Sequence, residues 1–218
     1  SAARSGSQSV SDEIKTFGAR NIWVYRQIDS DNPLSDTNEG TGINNQDVSF
    51  IRKQLGNVKI APVINRSGLW ARANGKHAKV GLLGVDQNFV QVSQETILTG
   101  RTISRIDLNQ RTPVCVLDQA AAEKLFQSPE GALMQLLEID GLEYNVIGVL
   151  KKKEAVFLER LGIASHSTYL IQIPLTIYQH RANSQEIDYI AINTLRIPHL
   201  CKIKNSTKKS KLNKKNQN

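Results

Sequence analysis

Cysteine is scarce in this chain: Cys115 and Cys201 are the only two in 218 residues. Two thiols cannot build the disulfide framework of a small secreted scaffold, and no CxxC pair or Cys/His spacing points to zinc. Long apolar runs are lacking as well. The longest, such as Val80–Val85 and Val146–Leu150, fall far short of the ~18 residues that a membrane-crossing helix requires. At the amino end, Ser1–Ser11 is small and polar, without the apolar centre of a signal peptide. A start without methionine reads as a piece cut from something longer. What the chain does have is 39% hydrophobic and 22% charged residues. That balance fills a core and excludes wholesale disorder or a collagen-like chain.

A formal charge of +8 suggests a nucleic-acid binder until the charge is divided along the chain. Residues 196–218 hold Arg196 and the seven lysines Lys202, Lys204, Lys208, Lys209, Lys211, Lys214 and Lys215, without one carboxylate. The basic residues that remain match the 20 acidic ones, so residues 1–195 are neutral. No global positive field drives the function of the body.

Signatures of chemistry are also sparse. His77, His166, His180 and His199 lie far apart, and no two share the i, i+4 spacing of a zincin helix. Ser5-Gly6-Ser7-Gln8-Ser9 is not a nucleophile elbow, because no apolar strand precedes it. Gly81-Leu82-Leu83-Gly84 lacks the third glycine and the following helix that a pyrophosphate needs, and there is no Gly-x-x-x-x-Gly-Lys. Glu138, Asp140 and Glu143 surround a turn, where solvation explains them better than catalysis. Lys151-Lys152-Lys153 is followed by Glu154 and Glu159, as at a solvated strand end. The expectation is a protein with no catalytic residues, no metal and no cofactor.

Periodicity outlines the elements. Val10, Ile14 and Phe17, closed by Gly18, predict a short helix, and Asn21–Gln27 a strand. Residues 28–45 should be a mobile polar loop, longer than the usual connection of about 4–6 residues. Asn45 is a plausible N-cap for a helix carrying Val48, Ile51 and Leu55 and stopped by Gly56. Val58–Ile64, Gly68–Ala73 and Lys79–Val85 read as three strands, parted by Asn65-Arg66-Ser67 and by the hairpin pair Asn74-Gly75. Asp86–Val92 predicts about one helical turn, and Gly100–Asn109 an irregular segment. Val114–Leu117 is a buried strand, with Cys115 as a core thiol, and Asp118 caps a helix bearing Ala121, Ala122, Leu125 and Phe126. Asp140-Gly141 joins Leu137–Ile139 to Leu142–Leu150. Tyr169–Ile173, a helix Leu175–His180 begun by Pro174, and a strand across Ile187–Ile192 complete the order. Helices and strands alternate loosely with hairpins mixed in, so the fold class is α+β with mixed sheets and short helices.

One large apolar pair stands out, Leu69-Trp70, set between turn residues. It reads either as a cross-strand core pair or as an anchor for a protein partner.

Several phrases recur in the order of a known family. Ile14-Lys15-Thr16-Phe17-Gly18-Ala19-Arg20-Asn21-Ile22-Trp23-Val24 stands where that family has a helix end, Leu-Gly and Asn-x-Ile-x-Val. Gly84-Val85-Asp86, Gly100-Arg101, Val114–Leu117 leading to Ala122–Phe126, Ile139–Gly141 and Val146-Ile147-Gly148-Val149-Leu150 follow in turn. Taken together, residues 6–195 resemble the extracytoplasmic core domain of MacB-type (FtsX-like) ABC transporter permeases. Gln127 departs from it, standing where the family often has glycine.

The resemblance implies a porter-like subdomain from residues 1–100 and 166–198 and a smaller inserted sabre-like subdomain from 101–165. It also implies a second membrane helix after Leu195, and there the chain departs from the family: apolar periodicity ends after Pro198, and the lysine-rich tail over 199–218 should be disordered. The resemblance implies a place in the inner membrane, with the domain facing the periplasm between two membrane helices. It further implies a non-catalytic, mechanical role that couples ATP-driven movement to an adaptor (membrane fusion) protein, an outer-membrane channel or an exported substrate. The expected partners are those proteins, a second permease copy and a cytoplasmic ATPase domain, with no nucleic acid and with the isolated domain a monomer. A relative that releases lipoproteins or regulates cell-wall hydrolases is a subclass of this reading. A nucleic-acid binder acting through the basic tail is the alternative from another class, and an unrecognised enzyme is a third.

Overall fold

Two tight turns shape the sheet. At Asn74-Gly75 both residues take positive φ, 50° and 72°, as they do at Asp140-Gly141, 49° and 76°. This backbone matches the twist of paired strands in two-residue hairpins. The computed structural model describes residues 21–25, 43–151 and 169–193. The expected helix around Val10, Ile14 and Phe17, the last two residues of the expected strand Asn21–Gln27, residues 28–42 of the loop and the lysine-rich end lie outside the described residues.

The elements run β1 (Asn21–Tyr25), α1 (Asn45–Leu55), β2 (Ile60–Ala73), β3 (Lys76–Val85), α2 (Phe89–Val92), β4 (Ile97–Gly100), α3 (Arg105–Gln110), β5 (Val114–Asp118), α4 (Gln119–Phe126), α5 (Pro129–Ala132), β6 (Leu136–Ile139), β7 (Leu142–Leu150), β8 (Tyr169–Pro174), α6 (Leu175–Ala182) and β9 (Tyr189–Asn193). They form the mixed α+β fold expected, around a nine-stranded sheet in the order β1-β9-β2-β3-β8-β5-β7-β4. β3 and β8 are parallel, as are β5 and β7. β6 pairs with both β2 and β7. The strands β2, β3, β8, β5, β7 and β6 therefore close into a ring.

All six ring strands send side chains into one core. Ala71, Val80, Leu117, Ile139, Val146 and Ile171 meet there, and α4 packs Ala121, Ala122, Leu125 and Phe126 against them. Alternate residues of the same strands face a second core with Val63, Leu83, Val85, Phe89, Val116 and Leu170. A third core sits under α1, where Val48 meets Ile60, Ile187, Ile190 and Ile192. β9 is covered on both faces because its two side-chain sets feed different cores: Tyr189 and Ala191 the second, Ile190 and Ile192 the third.

Local chemistry departs from the sequence reading in four places. The N-cap of α1 is Asn44, not Asn45: its side chain accepts from the amides of Gln46 and Asp47, and Asp47 returns a bond to the Asn44 amide at 2.9 Å. Asn65-Arg66-Ser67 does not end a strand. The ladder with β3 runs from Arg66↔Leu82 to Leu69↔Val80, a bulge with one extra residue, and β2 continues through it. Residues 100–109 are not irregular throughout, since Ser104 and Asp107 form a capping box that starts α3. Pro174 is the N-cap of α6 and not its first-turn residue.

Candidate functional site

The bulge at Ser67-Gly68 is followed by strict alternation. Leu69 packs against the ring core and Ala71 and Ala73 lie within it, while Trp70 faces outward, 51% exposed. The predicted pair is thus split, one member inside and one outside. Trp70 leans edge-on against His77 of β3, ring centroids 5.5 Å apart. Its carbonyl accepts from the Asp140 amide at 3.3 Å, so the β6–β7 turn sits directly behind it. An Arg72–Glu138 ion pair at 3.3 Å lies alongside.

A second assembly joins β4 to β7. Gly100 pairs with Gly148, and a Cβ on Gly148 would overlap the Arg101 carbonyl oxygen. A Cβ on Gly100, at φ 76°, would come within 2.8 Å of the Gly148 Cα. Here glycine permits backbone to cross backbone. The Arg101 amide donates to the Ile147 carbonyl at 2.9 Å. Its guanidinium holds Asp107 in a bidentate pair, Nη1 to Oδ2 at 2.6 Å and Nη2 to Oδ1 at 3.0 Å. Ser104 donates its hydroxyl and its amide to the same carboxylate. The Arg101 bonds hold the Asp107 carboxyl down to about 2 against its burial, with Ser104 adding to the effect. The Gly100-Arg101 and Val146–Leu150 phrases marked the backbone crossing in the sequence. The Ser-x-x-Asp spacing of a capping box was the signal that could have found the rest.

A second buried carboxylate, Asp86, ties α1 to the end of β3. It meets Arg52 at 2.7 Å and accepts from the Asn88 amide at 3.0 Å. Burial pushes its carboxyl up to about 6, against the Asn88 amide and the Arg52 guanidinium. Arg66 bridges β2, α6 and the start of β9: it donates to the Tyr178 hydroxyl and to Asp188, each at 2.7 Å. These are positioning contacts, since each charge already meets its partner. Cys115 is fully buried, and burial raises its thiol well above the ordinary range. Among the described residues no three His, Cys, Asp or Glu side chains converge as metal ligands, and no helix is long and apolar enough to cross a membrane.

A family model described as the MacB-like periplasmic core domain matches residues 1–195. The chain belongs to this MacB-like family. It is 28% identical over 153 residues to the macrolide export ATP-binding/permease protein MacB of Bdellovibrio bacteriovorus, covering 68% of this chain and 23% of that protein. It is 33% identical over 70 residues to an uncharacterized ABC transporter permease, YvrN, of Bacillus subtilis, covering 32% of this chain and 17% of that one. The chain thus spans about a quarter or less of these relatives. The fold resembles the periplasmic region of MacB from Actinobacillus actinomycetemcomitans, with TM-score 0.66, 17% identity, and 88% of this chain and 83% of that one covered. It also resembles the extracellular domain of the ABC-type transporter YknZ from Gram-positive bacteria, with TM-score 0.62, 19% identity, and coverage of 84% and 87%. As a MacB-like core domain, this is an extracytoplasmic domain of an ABC transporter permease.

Proposed function

We propose that this domain is a non-catalytic coupling element of an inner-membrane ABC transporter. It faces the periplasm and transmits ATP-driven movement to an adaptor protein, and through it to an outer-membrane channel or an exported substrate. ATP is hydrolysed by a separate cytoplasmic domain, and a second permease copy completes the transporter, while the isolated domain is monomeric. Residues 1–100 with 166–198 form the porter-like part and residues 101–165 the sabre-like insertion, with Trp70 as the anchor for a partner and Leu69 seating it from within.

The observation that carries this reading is the pairing across that division. β6 bonds to β2, and β5 to β8, so both parts belong to one ring of strands. Hydrogen-bonded, close-packed parts of this kind move together as a rigid body, which is what passing on movement requires.

The test uses the full-length permease reconstituted with its ATPase and adaptor. Trp70→Ala is expected to leave ATP hydrolysis measured without the adaptor within about twofold and to lower export about tenfold, as loss of an exposed aromatic anchor does. Export unchanged in both Trp70→Ala and Trp70→Asp would remove Trp70 from the contact. Chemical turnover by the isolated chain would overturn the coupling role itself.

A further inference from the structure

Two open hollows flank α6 and share Arg111 and His180. One, of ≈440 Å³, is polar and is lined further by Asn45, Thr176, Gln179 and Asn183. The other, of ≈390 Å³, is walled by Leu142, Ile177 and Arg181. No carboxylate lines either hollow. Three arginines and His180 lie on this side of the molecule, and two of the arginines are engaged. Arg66 meets Asp188 at 2.7 Å, and Arg181 meets Asp140 at 3.3 Å. Among the described residues, Arg111 and His180 have no such partner.

Their placement is firm. Arg111 caps α3 in the left-handed region at φ 51°, its amide bonded to the Asp107 and Leu108 carbonyls. The Thr176 hydroxyl donates to the Leu108 carbonyl at 2.7 Å, tying α6 to α3. Helix ends account for where both groups sit, Arg111 as the C-cap of α3 and His180 in the last turn of α6, and two separate elements thereby turn them toward one hollow. Beside Arg111 and His180, Leu142 leaves 37% of its surface in solvent. The surface is continuous with Trp70: the Arg181 guanidinium donates to the Asp140 carbonyl at 2.9 Å, and the Asp140 amide to the Trp70 carbonyl.

We propose that the α6 face docks an acidic segment of a partner protein, with a carboxylate side chain seated between Arg111 and His180 and a neighbouring apolar side chain on Leu142 and Ile177. Charge complementarity selects this occupant: a basic saddle without acidic lining, next to an apolar floor, suits alternating acidic and apolar residues. The proposal takes from the coupling reading only that the domain meets a protein partner. Its test needs no transporter, so the two ideas fail separately.

The whole chain, isotope-labelled, is titrated with the peptide acetyl-Glu-Leu-Asp-Leu-Glu-amide and followed by amide chemical shifts. Binding with Kd on the order of 1 mM is expected, with shifts centred on α6, Arg111 and Leu142. Arg111→Glu should weaken it about tenfold and Leu142→Ser about threefold. Exposed Arg111 and His180 can be replaced without loss of fold, which the unperturbed spectrum of Arg111→Gln or His180→Gln verifies. The lysine counterpart of the peptide should not bind, and raising salt should weaken the acidic one. The proposal is overturned by absence of binding, by shifts confined to the lysines after residue 196, or by affinity indifferent to Arg111→Glu and His180→Gln. It is also overturned, in favour of a lipid surface, if these variants abolish binding to phosphatidylglycerol vesicles and the peptide does not bind.

Discussion

At Gly148 the side chain is a hydrogen because the Arg101 backbone crosses over it, and Gly100 faces it from the partner strand. Gly148→Ala sets a methyl group against a carbonyl that two neighbouring bonds hold in place, so relaxation is limited. A loss of about 3 kcal/mol, read as a lowered urea midpoint, is expected. The two buried carboxylates respond to acid with opposite signs. Asp86 is raised to about 6 in the folded state, so its ionised form costs stability above that pH. As pH falls from 7 to 5 the native state takes up a proton that the unfolded chain does not, and stability rises by about 1 kcal/mol. Asp86→Asn should flatten that stretch of the stability profile; a slope unchanged in the variant would show that another group carries it. Asp107, held at about 2, contributes stability that is present above about pH 4 and is lost progressively as pH falls from there through 2.

Among the elements, α4 carries a visible compromise. It ends at Gln127, with φ 77° and ψ −29°, where the family often has glycine. The turn keeps its left-handed shape and the side chain bears the strain. Gln127→Gly is therefore expected to raise stability by about 1 kcal/mol, less the entropy that glycine adds to the unfolded chain; a lowered thermal midpoint would contradict this. The sequence made α4 legible because Asp118, Ala121 and Leu125 announce cap and buried face within a few residues. Both hairpins were legible for the same reason, their turn chemistry being local. α3 was missed because its six residues are too few for a periodic signal and only its capping box betrays it. The bulge in β2 was misread as a turn because Asn65-Arg66-Ser67 has turn composition. What keeps the strand going is distant: β3 continues the ladder, and Asp188 accepts from both the Asn65 amide and Arg66. The candidate site divides in the same way. Alternation around Trp70 could be read in the chain, whereas the meeting of Arg111 with His180 depends on how α3 packs on α6.

For the whole molecule, a sheet shared by all parts predicts one cooperative unfolding transition. Trp23 and Trp70 both lie in residues 1–100, so their fluorescence follows that part, while far-ultraviolet circular dichroism follows every element. Coincident urea curves from the two probes are expected; an earlier dichroism change would show that residues 101–165 melt on their own. The closed ring also bears on handling of load. Six staves joined edge to edge behave as a hoop, in which a push on the β6–β7 corner is spread around the circumference through β2 and β7 at once. Such a shape resists buckling at any single joint.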